Sequence, residues 1–442
     1  MFFNSFTYIA FLLVVLVVFI MTNNKRYVPI RNIFLLLASY YFYSQLNPLY
    51  VFLLLFTTII NFYTGHEISK AQLNGLSGKS YIIMAIIASI SILVFFKYAY
   101  IVDDSVLLPV GLSFFTFQAL TYSIDIYRRK ISAESSFVNV ALFISFFPTL
   151  LSGPIERARN LIPQLKTVTE LDLATFESGI RLFIFGLFKK VVLADRLASY
   201  VNEIYYMPDS QTGSTLALAA LFYSFQIYCD FSGYADMAVA SGRMLGFRIM
   251  NNFNLPYCAS TIKDFWRSWH ISLTSWFTEY VYISLGGNRV SQLRWLFNIS
   301  AVFLLSGIWH GATLSFILWG ALHAVYYLIE HYWGPKRPNK LYHLLIFVLI
   351  TFAWVFFRIE DSKVALQVII TICTDFFSPL SLGSSVFSLL ITSVLLVLFI
   401  SREVMVHKNL LNTKLSRIET VLLLLMICLF GISSSQFVYF QF

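Results

Sequence analysis

Residues 303–320 read FLLSGIWHGATLSFILWG, an apolar run in which one titratable side chain, His310, sits between Trp309 and Gly311. Extended to 297–320, the run exceeds the ~20 residues that a helix needs to cross hydrocarbon. Asn298, Ser300, Ser306, Thr313 and Ser315 are its other polar residues. A chain that repeats such runs is a membrane protein. An ionisable group placed inside one is costly, so it either finds a partner or does work.

The rest of the chain repeats them. Of 442 residues, 58% are hydrophobic and 12% charged, about half the roughly 25% charged share of soluble domains. That leaves too little polar surface for a water-soluble body. Long apolar runs cover 7–21, 81–101, 106–124, 137–152, 179–194, 214–229, 297–320, 341–357, 385–400 and 419–432, with shorter ones at 33–45, 49–62, 315–333 and 364–377. Some must be re-entrant or interfacial, so the expectation is about 10 to 13 helices. The runs are too long, and too free of alternation, for the ~10-residue strands of a membrane barrel. The fold class is therefore an all-α polytopic membrane protein, a single integral-membrane domain over 1–442 with its motifs between about 110 and 330.

Basic residues set the expected orientation. Lys25, Arg26 and Arg31 lie at 22–32, Lys70 and Lys79 at 63–80, and YRRK at 127–130, whereas the turns at 45–49 and 101–106 carry no basic residue. This places the N-terminus outside and the basic loops in the cytoplasm, with GPKRPNK (334–340) and the 401–417 stretch also inside. MFFNSF lacks a positive leader, so the first run reads as a span rather than a cleaved signal. The net charge of +9 matches this topology and anionic headgroups, and no run resembles a nucleic-acid patch. Cys229, Cys258, Cys373 and Cys428 lack CxxC spacing, so neither a disulfide framework nor a metal site is expected.

Between about 145 and 320, polar residues interrupt the apolar runs. PTLLSGPIERARNLIPQL (148–165) reads as a helix that ends at Gly153-Pro154, followed by a polar connector. In FYSFQIYCDFSGYADMAVASGRMLGF (222–247), Asp230 and Asp236 stand in an aromatic and small-residue context, and either could pair with Arg243 or cap a broken helix. In DFWRSWHISLTSWFTEYVYISLGGNR (264–289), Trp266, Trp269, His270, Leu273, Trp276 and Phe277 recur at helical spacing, with Arg267 mainly on the other side. That pattern suits an amphipathic helix at the membrane interface, closed by a turn at Gly286-Gly287-Asn288-Arg289. His270 is open to a structural or a chemical role.

His310 has few polar neighbours, and Gly307 and Gly311 clear space beside it. Apolar surroundings favour the neutral imidazole, which accepts a proton. Beside a hydroxyl it is a general base, worth roughly 10²–10⁴ in rate. No Gly-x-Ser-x-Gly elbow supplies a serine nucleophile. Direct transfer of a group to a bound hydroxyl is the simplest chemistry left, and a packing histidine is the competing reading.

WRSWHISLTSWFTEYVYISLGGNR, followed by GIWHGA, resembles the membrane-bound O-acyltransferase (MBOAT) superfamily, and within it the alginate O-acetyltransferase (AlgI-like) and peptidoglycan O-acetylation branch. GLSFFTFQALTYSIDIYR (111–128), FFPTLLSGPIERA (146–158) and YCDFSGYADMA (228–238) resemble that branch in the same order. The resemblance implies a ring of helices around a funnel in a bacterial inner membrane. It implies acyl transfer from a cytoplasmic thioester such as acetyl-CoA, with no bound cofactor, to an extracytoplasmic acceptor. That acceptor would be a surface polysaccharide or a partner acetyltransferase protein. It maps the principal catalytic histidine onto His310 and a second onto His270. Trp309, Trp266, Trp269, Arg267, Asp230, Asp236, Asn288 and Arg289 are the candidate substrate-binding residues. The alternatives are D-alanyl transfer as in teichoic acid synthesis, a glycan or lipid transporter, and an export-complex subunit. A transporter would more often show inverted repeats, and no such symmetry is visible.

Overall fold

The computed structural model describes residues 1–99, 108–384 and 386–432. The expected acidic turn with Asp103 and Asp104 lies outside them. Among the described residues the secondary structure is helical throughout, without a strand. The helices are α1 (Phe6–Thr22), α2 (Val28–Ser44), α3 (Tyr50–Leu73), α4 (Lys79–Tyr98), α5 (Leu112–Tyr127), α6 (Phe137–Ser145), α7 (Phe147–Leu150), α8 (Ala158–Leu165), α9 (Leu173–Phe188) and α10 (Asp195–Tyr206). They continue as α11 (Gly213–Met244), α12 (Ile262–Ser268), α13 (Ile271–Trp276), α14 (Gln292–His310), α15 (Leu314–Trp333), α16 (Lys340–Arg358), α17 (Ser362–Thr374), α18 (Val386–His407) and α19 (Arg417–Phe430). By length and composition, α3, α4, α16 and α18 can cross a membrane, and α1 and α17 are shorter apolar helices.

The chain divides into two compact units. One comprises Met1–Phe183 and Tyr234–Asn251; the other Ile184–Gly233 and Asn252–Phe442. In the first, the fully buried Arg31 guanidinium donates to the carbonyls of Thr167 and Leu165 at 2.9 and 2.7 Å, and to Asn23 and Asn32. A charge without water is tolerable only when its donors are used. The helix before the connector ends at Leu150, ahead of Gly153-Pro154, and the polar connector that follows is buried. Glu156 and Arg157 are buried, the Glu156 N–H donates to Gln118 at 3.1 Å, and its carboxylate accepts the Met250 N–H at 3.0 Å. Unsatisfied backbone is not tolerated at such depth, and these side chains satisfy it.

In the second unit a π-helical segment at Lys189–Ala194 lies between α9 and α10, and another at Phe277–Tyr282 follows α13. The run at 297–320 differs from the expected single span. It is the end of α14 and the start of α15, separated at 311–313, where Gly311 is extended and Thr313 takes the N-cap position. Apolar periodicity carries no mark of this break, because both helices are apolar up to the turn. The two helices pack backbone to backbone: a Cβ on Gly307 would lie 2.4 Å from the Phe316 carbonyl oxygen, and one on Gly320 would lie 2.5 Å from that of Phe303. Only glycine permits this approach.

Candidate active site

His310 is the last residue of α14, not the middle of a span. It is 4% exposed. Its ring meets Trp309 at 4.5 Å, Trp319 of α15 at 5.0 Å and Phe357 of α16 at 4.8 Å, each edge to face, and stacks on Phe316 at 6.2 Å. Three helices thus fix one imidazole through aromatic contacts. The helix terminus adds a field: the C-terminal end of a helix carries about half a negative charge, which stabilises an imidazolium formed there.

His270 arrives from a different element. The 264–289 stretch is not one amphipathic helix. α12 ends at Ser268, α13 starts at Ile271, and His270 between them adopts φ 42° and ψ 54°. A non-glycine residue in this left-handed region costs roughly 1–3 kcal/mol and persists only when its surroundings determine it. Here a strap at 252–254 does so. The Ile271 N–H donates to the Asn252 carbonyl at 2.8 Å, the Ser272 N–H to the Asn252 side chain at 3.3 Å, and the Asn254 N–H to the Ser268 carbonyl at 3.0 Å. The His270 ring, 1% exposed, meets Phe231 of α11 edge-on at 4.5 Å and Trp309 at 6.2 Å. Trp309 therefore touches both histidines, and the two rings expected from sequence are brought to one site.

The remaining candidates divide. Trp269 is buried and packs on Phe265, Tyr228 and Trp354, so it builds the wall behind His270. Trp266 meets Trp319 at 5.7 Å. The tryptophans thus turn into the protein rather than along a membrane interface. Arg267 is exposed and lies 3.7 Å from Asp264. Asn288 and Arg289 are exposed at the Gly286-Gly287 turn, which Asn298 holds by donating to the Leu285 and Gly287 carbonyls. These three are not among the aromatic contacts of the histidines.

Asp230 is buried and pairs with Lys190 at 2.8 Å, and Lys190 also binds Asp195 at 2.8 Å. Lys189 donates to Ser232 at 2.8 Å. Of the two roles left open for Asp230, a partner for Arg243 or a cap on a broken helix, the structure gives it this lysine of the π segment instead, and α11 runs unbroken through Ser232-Gly233. Asp236 belongs to the other unit, where its charge acts on Arg243, as the sequence allowed, and Arg243 also donates to Ser178 at 2.9 Å. Among the described residues no group of three or more His, Cys, Asp or Glu side chains could hold a metal ion.

Sequence reasoning passed over Lys189, Lys190 and His323. Each is a charged or titratable residue inside a run already marked as apolar, which is the same signal that singled out His310.

Comparison with known proteins gives a consistent picture. The family model of the membrane-bound O-acyltransferases matches residues 74–349. The chain is 37% identical to a protein named probable alginate O-acetylase AlgI from Pseudomonas aeruginosa over 364 residues, 78% of this chain and 69% of that one. It is 35% identical to a peptidoglycan O-acetyltransferase of Helicobacter pylori over 384 residues, covering 76% and 73%. A teichoic acid D-alanyltransferase of Bacillus subtilis is 29% identical over 266 residues, 56% of this chain and 67% of that protein.

Proposed function

This chain belongs to the membrane-bound O-acyltransferase family and is an acyltransferase; on that premise we propose that it transfers an acetyl group from a cytoplasmic thioester, acetyl-CoA or a similar donor, to a hydroxyl on the outer side of a bacterial inner membrane. The acceptor is a surface polysaccharide such as alginate or peptidoglycan, or a partner acetyltransferase that passes the group on. The carrying observation is that Trp309, at the end of α14, packs against two buried histidines, His310 beside it and His270 from between α12 and α13. In the reaction, His310 takes the acceptor's hydroxyl proton as the oxygen attacks the thioester carbonyl. The tetrahedral intermediate collapses by breaking the C–S bond, and the imidazolium returns its proton to the leaving thiolate. The products are an ester and a thiol. Indole N–H groups and His270 are the available donors for the oxyanion. Aromatic walls exclude water, which would otherwise hydrolyse the thioester.

The test is the O-acyl content of surface glycans in a deletion strain complemented with wild type or His310→Ala at matched membrane levels. Wild type should restore acetyl esters and the variant should not. D-alanyl esters in place of acetyl would move the chain to the teichoic acid branch. Full restoration by the variant would exclude His310 as the base.

A further inference from the structure

His323 lies one turn beyond Trp319 on the same face of α15, and it is 0% exposed. Two phenyl rings lie near parallel to its ring, Phe303 at 6.2 Å and 18°, and Phe265 at 6.4 Å and 3°. Its edges meet two indoles turned across it, Trp266 at 4.9 Å and 81°, and Trp319 at 5.0 Å and 70°. The nitrogens of an imidazole lie in the ring plane, so a partner for either must approach along the ring edge. Neither His323 nitrogen has a hydrogen-bond partner among the described residues, and neither does the buried Nε1 of Trp266 or of Trp319. Four polar atoms without partners thus lie on three rings in mutual contact, with centroids 4.9, 5.0 and 5.7 Å apart, inside an otherwise aromatic cage.

Native interiors rarely leave such atoms unsatisfied, and a cluster of them calls for a guest. The chemistry of that guest follows from the atoms. Two indole N–H groups donate only; a neutral imidazole donates once and accepts once. Charged guests are disfavoured, because the aromatic rings packed around the fully buried His323 would strip an ion of its water. We propose that His323, Trp266 and Trp319 form a seat for a neutral group that both accepts and donates hydrogen bonds, and that His323 is thereby a functional residue of the transfer site. Trp319 also packs edge-on against His310, so the guest fixes the wall on which the catalytic imidazole rests. Two sources carry this chemistry: an internal water with two to four polar partners, or an amide in the arm of the thioester donor. The inference rests on the acyl-transfer reading above.

A pair of substitutions separates function from packing. His323→Phe keeps a planar ring in an aromatic cage and removes the polar atoms; His323→Asn keeps a donor and an acceptor. Both variants, with wild type, are assayed in membranes with acetyl-CoA and with ethyl thioacetate, which has no amide. Melting in detergent establishes that each is folded. Expected are a His323→Phe variant that melts no lower than wild type yet loses at least tenfold in kcat/KM, and a His323→Asn variant that recovers most of it. If the guest is water, kcat falls alike with both donors. If it is the donor's amide, KM rises for acetyl-CoA alone. A His323→Phe variant that turns over as wild type does overturns the proposal. A cryo-EM map of the wild-type chain in nanodiscs reads the seat without turnover. Density bridging His323 to either indole supports it, and a dry cage overturns it, even if wild type itself transfers no acyl group and the functional reading fails.

Discussion

Gly307→Ala tests whether the α14–α15 hairpin sets the geometry of the site. The added Cβ would lie 2.4 Å from the Phe316 carbonyl oxygen, against the 3.0 Å below which real Cβ contacts essentially never fall, so one helix must retreat by about 0.6 Å. The obstacle is backbone, so no rotamer change relieves it. Overpacking of this kind costs roughly 1–3 kcal/mol. The catalytic consequence follows from what moves. His310 is three residues past Gly307, and two of the rings that hold it, Phe316 and Trp319, ride on α15. A misplacement of about 1 Å costs around 10²-fold in rate, so about 0.6 Å should cost on the order of tenfold or more, about 1.4 kcal/mol in barrier. The assay is the initial rate of acyl transfer in membranes with protein levels matched by immunoblot, alongside melting in detergent. Gly320→Ala pushes the same pair from the other helix and should behave alike. A Gly307→Ala variant that is as active as wild type, at normal stability, would refute the hairpin as the positioning element.

Three further outcomes follow from the charges and from His310 itself. His310→Ala should lower acyl transfer by at least about 10²-fold with the chain still in the membrane, because general-base help is worth roughly 10²–10⁴; unchanged glycan esters would exclude it as the base. Lys190→Met leaves Asp195 and Asp230 buried without their shared cation, a loss of roughly 3–5 kcal/mol; yield and melting point should fall sharply, and Asp230→Asn in the same chain should restore part of it. Glu134, in the loop before α6, titrates under opposed influences: burial raises its carboxyl, while Lys166 at 3.0 Å and the Ser136 and Asn139 donors lower it more, so it is held below the usual carboxylate range. A depressed folded-state pKa stabilises above the unfolded value of about 4.3 and loses that stability as pH falls through the folded value. Because Lys166 is half exposed, the effect is at most about 1 kcal/mol, and Glu134→Gln should flatten the acid limb of a melting-versus-pH curve; an unaltered limb would remove Glu134 from the account.

The membrane class was plain in the sequence because composition excludes a soluble body at this length, and helix type was plain because the runs lack alternation. Breaks within apolar runs were not. The α14–α15 turn is made by Gly311, Ala312 and Thr313, none of which is polar enough to interrupt a hydropathy pattern. The kink at His270 depends on Asn252, 18 positions earlier, and a local periodicity cannot register a distant strap. Tryptophans at helical spacing mark an apolar face but do not say whether lipid or protein covers it; here Trp269 and Trp276 are buried in the protein. Asp230 was correctly seen as anomalous, and its partner was missed because Lys190 sat in a run read as a plain span. The approach of His270 and His310 to the same tryptophan, Trp309, was legible only through resemblance, since 40 residues and an intervening turn separate the two histidines.

The position of His310 bears on how an aromatic chamber can run this chemistry. A histidine in mid-span would have to carry a proton with only apolar neighbours, and the charge formed would be uncompensated. At the end of α14 the last carbonyls offset it. The overall reaction helps as well. Under the proposed transfer, hydroxyl plus thioester gives ester plus thiol, so the proton that His310 would take is the one it would return, and no net charge would have to leave the site. Hydrolysis of the same thioester would instead release an ionising acid. Walls made of Trp309, Phe316, Trp319 and Phe357 are consistent with a round trip of this kind: they exclude water, hold the base by its edges and faces, and need to tolerate an ion only for the lifetime of the intermediate.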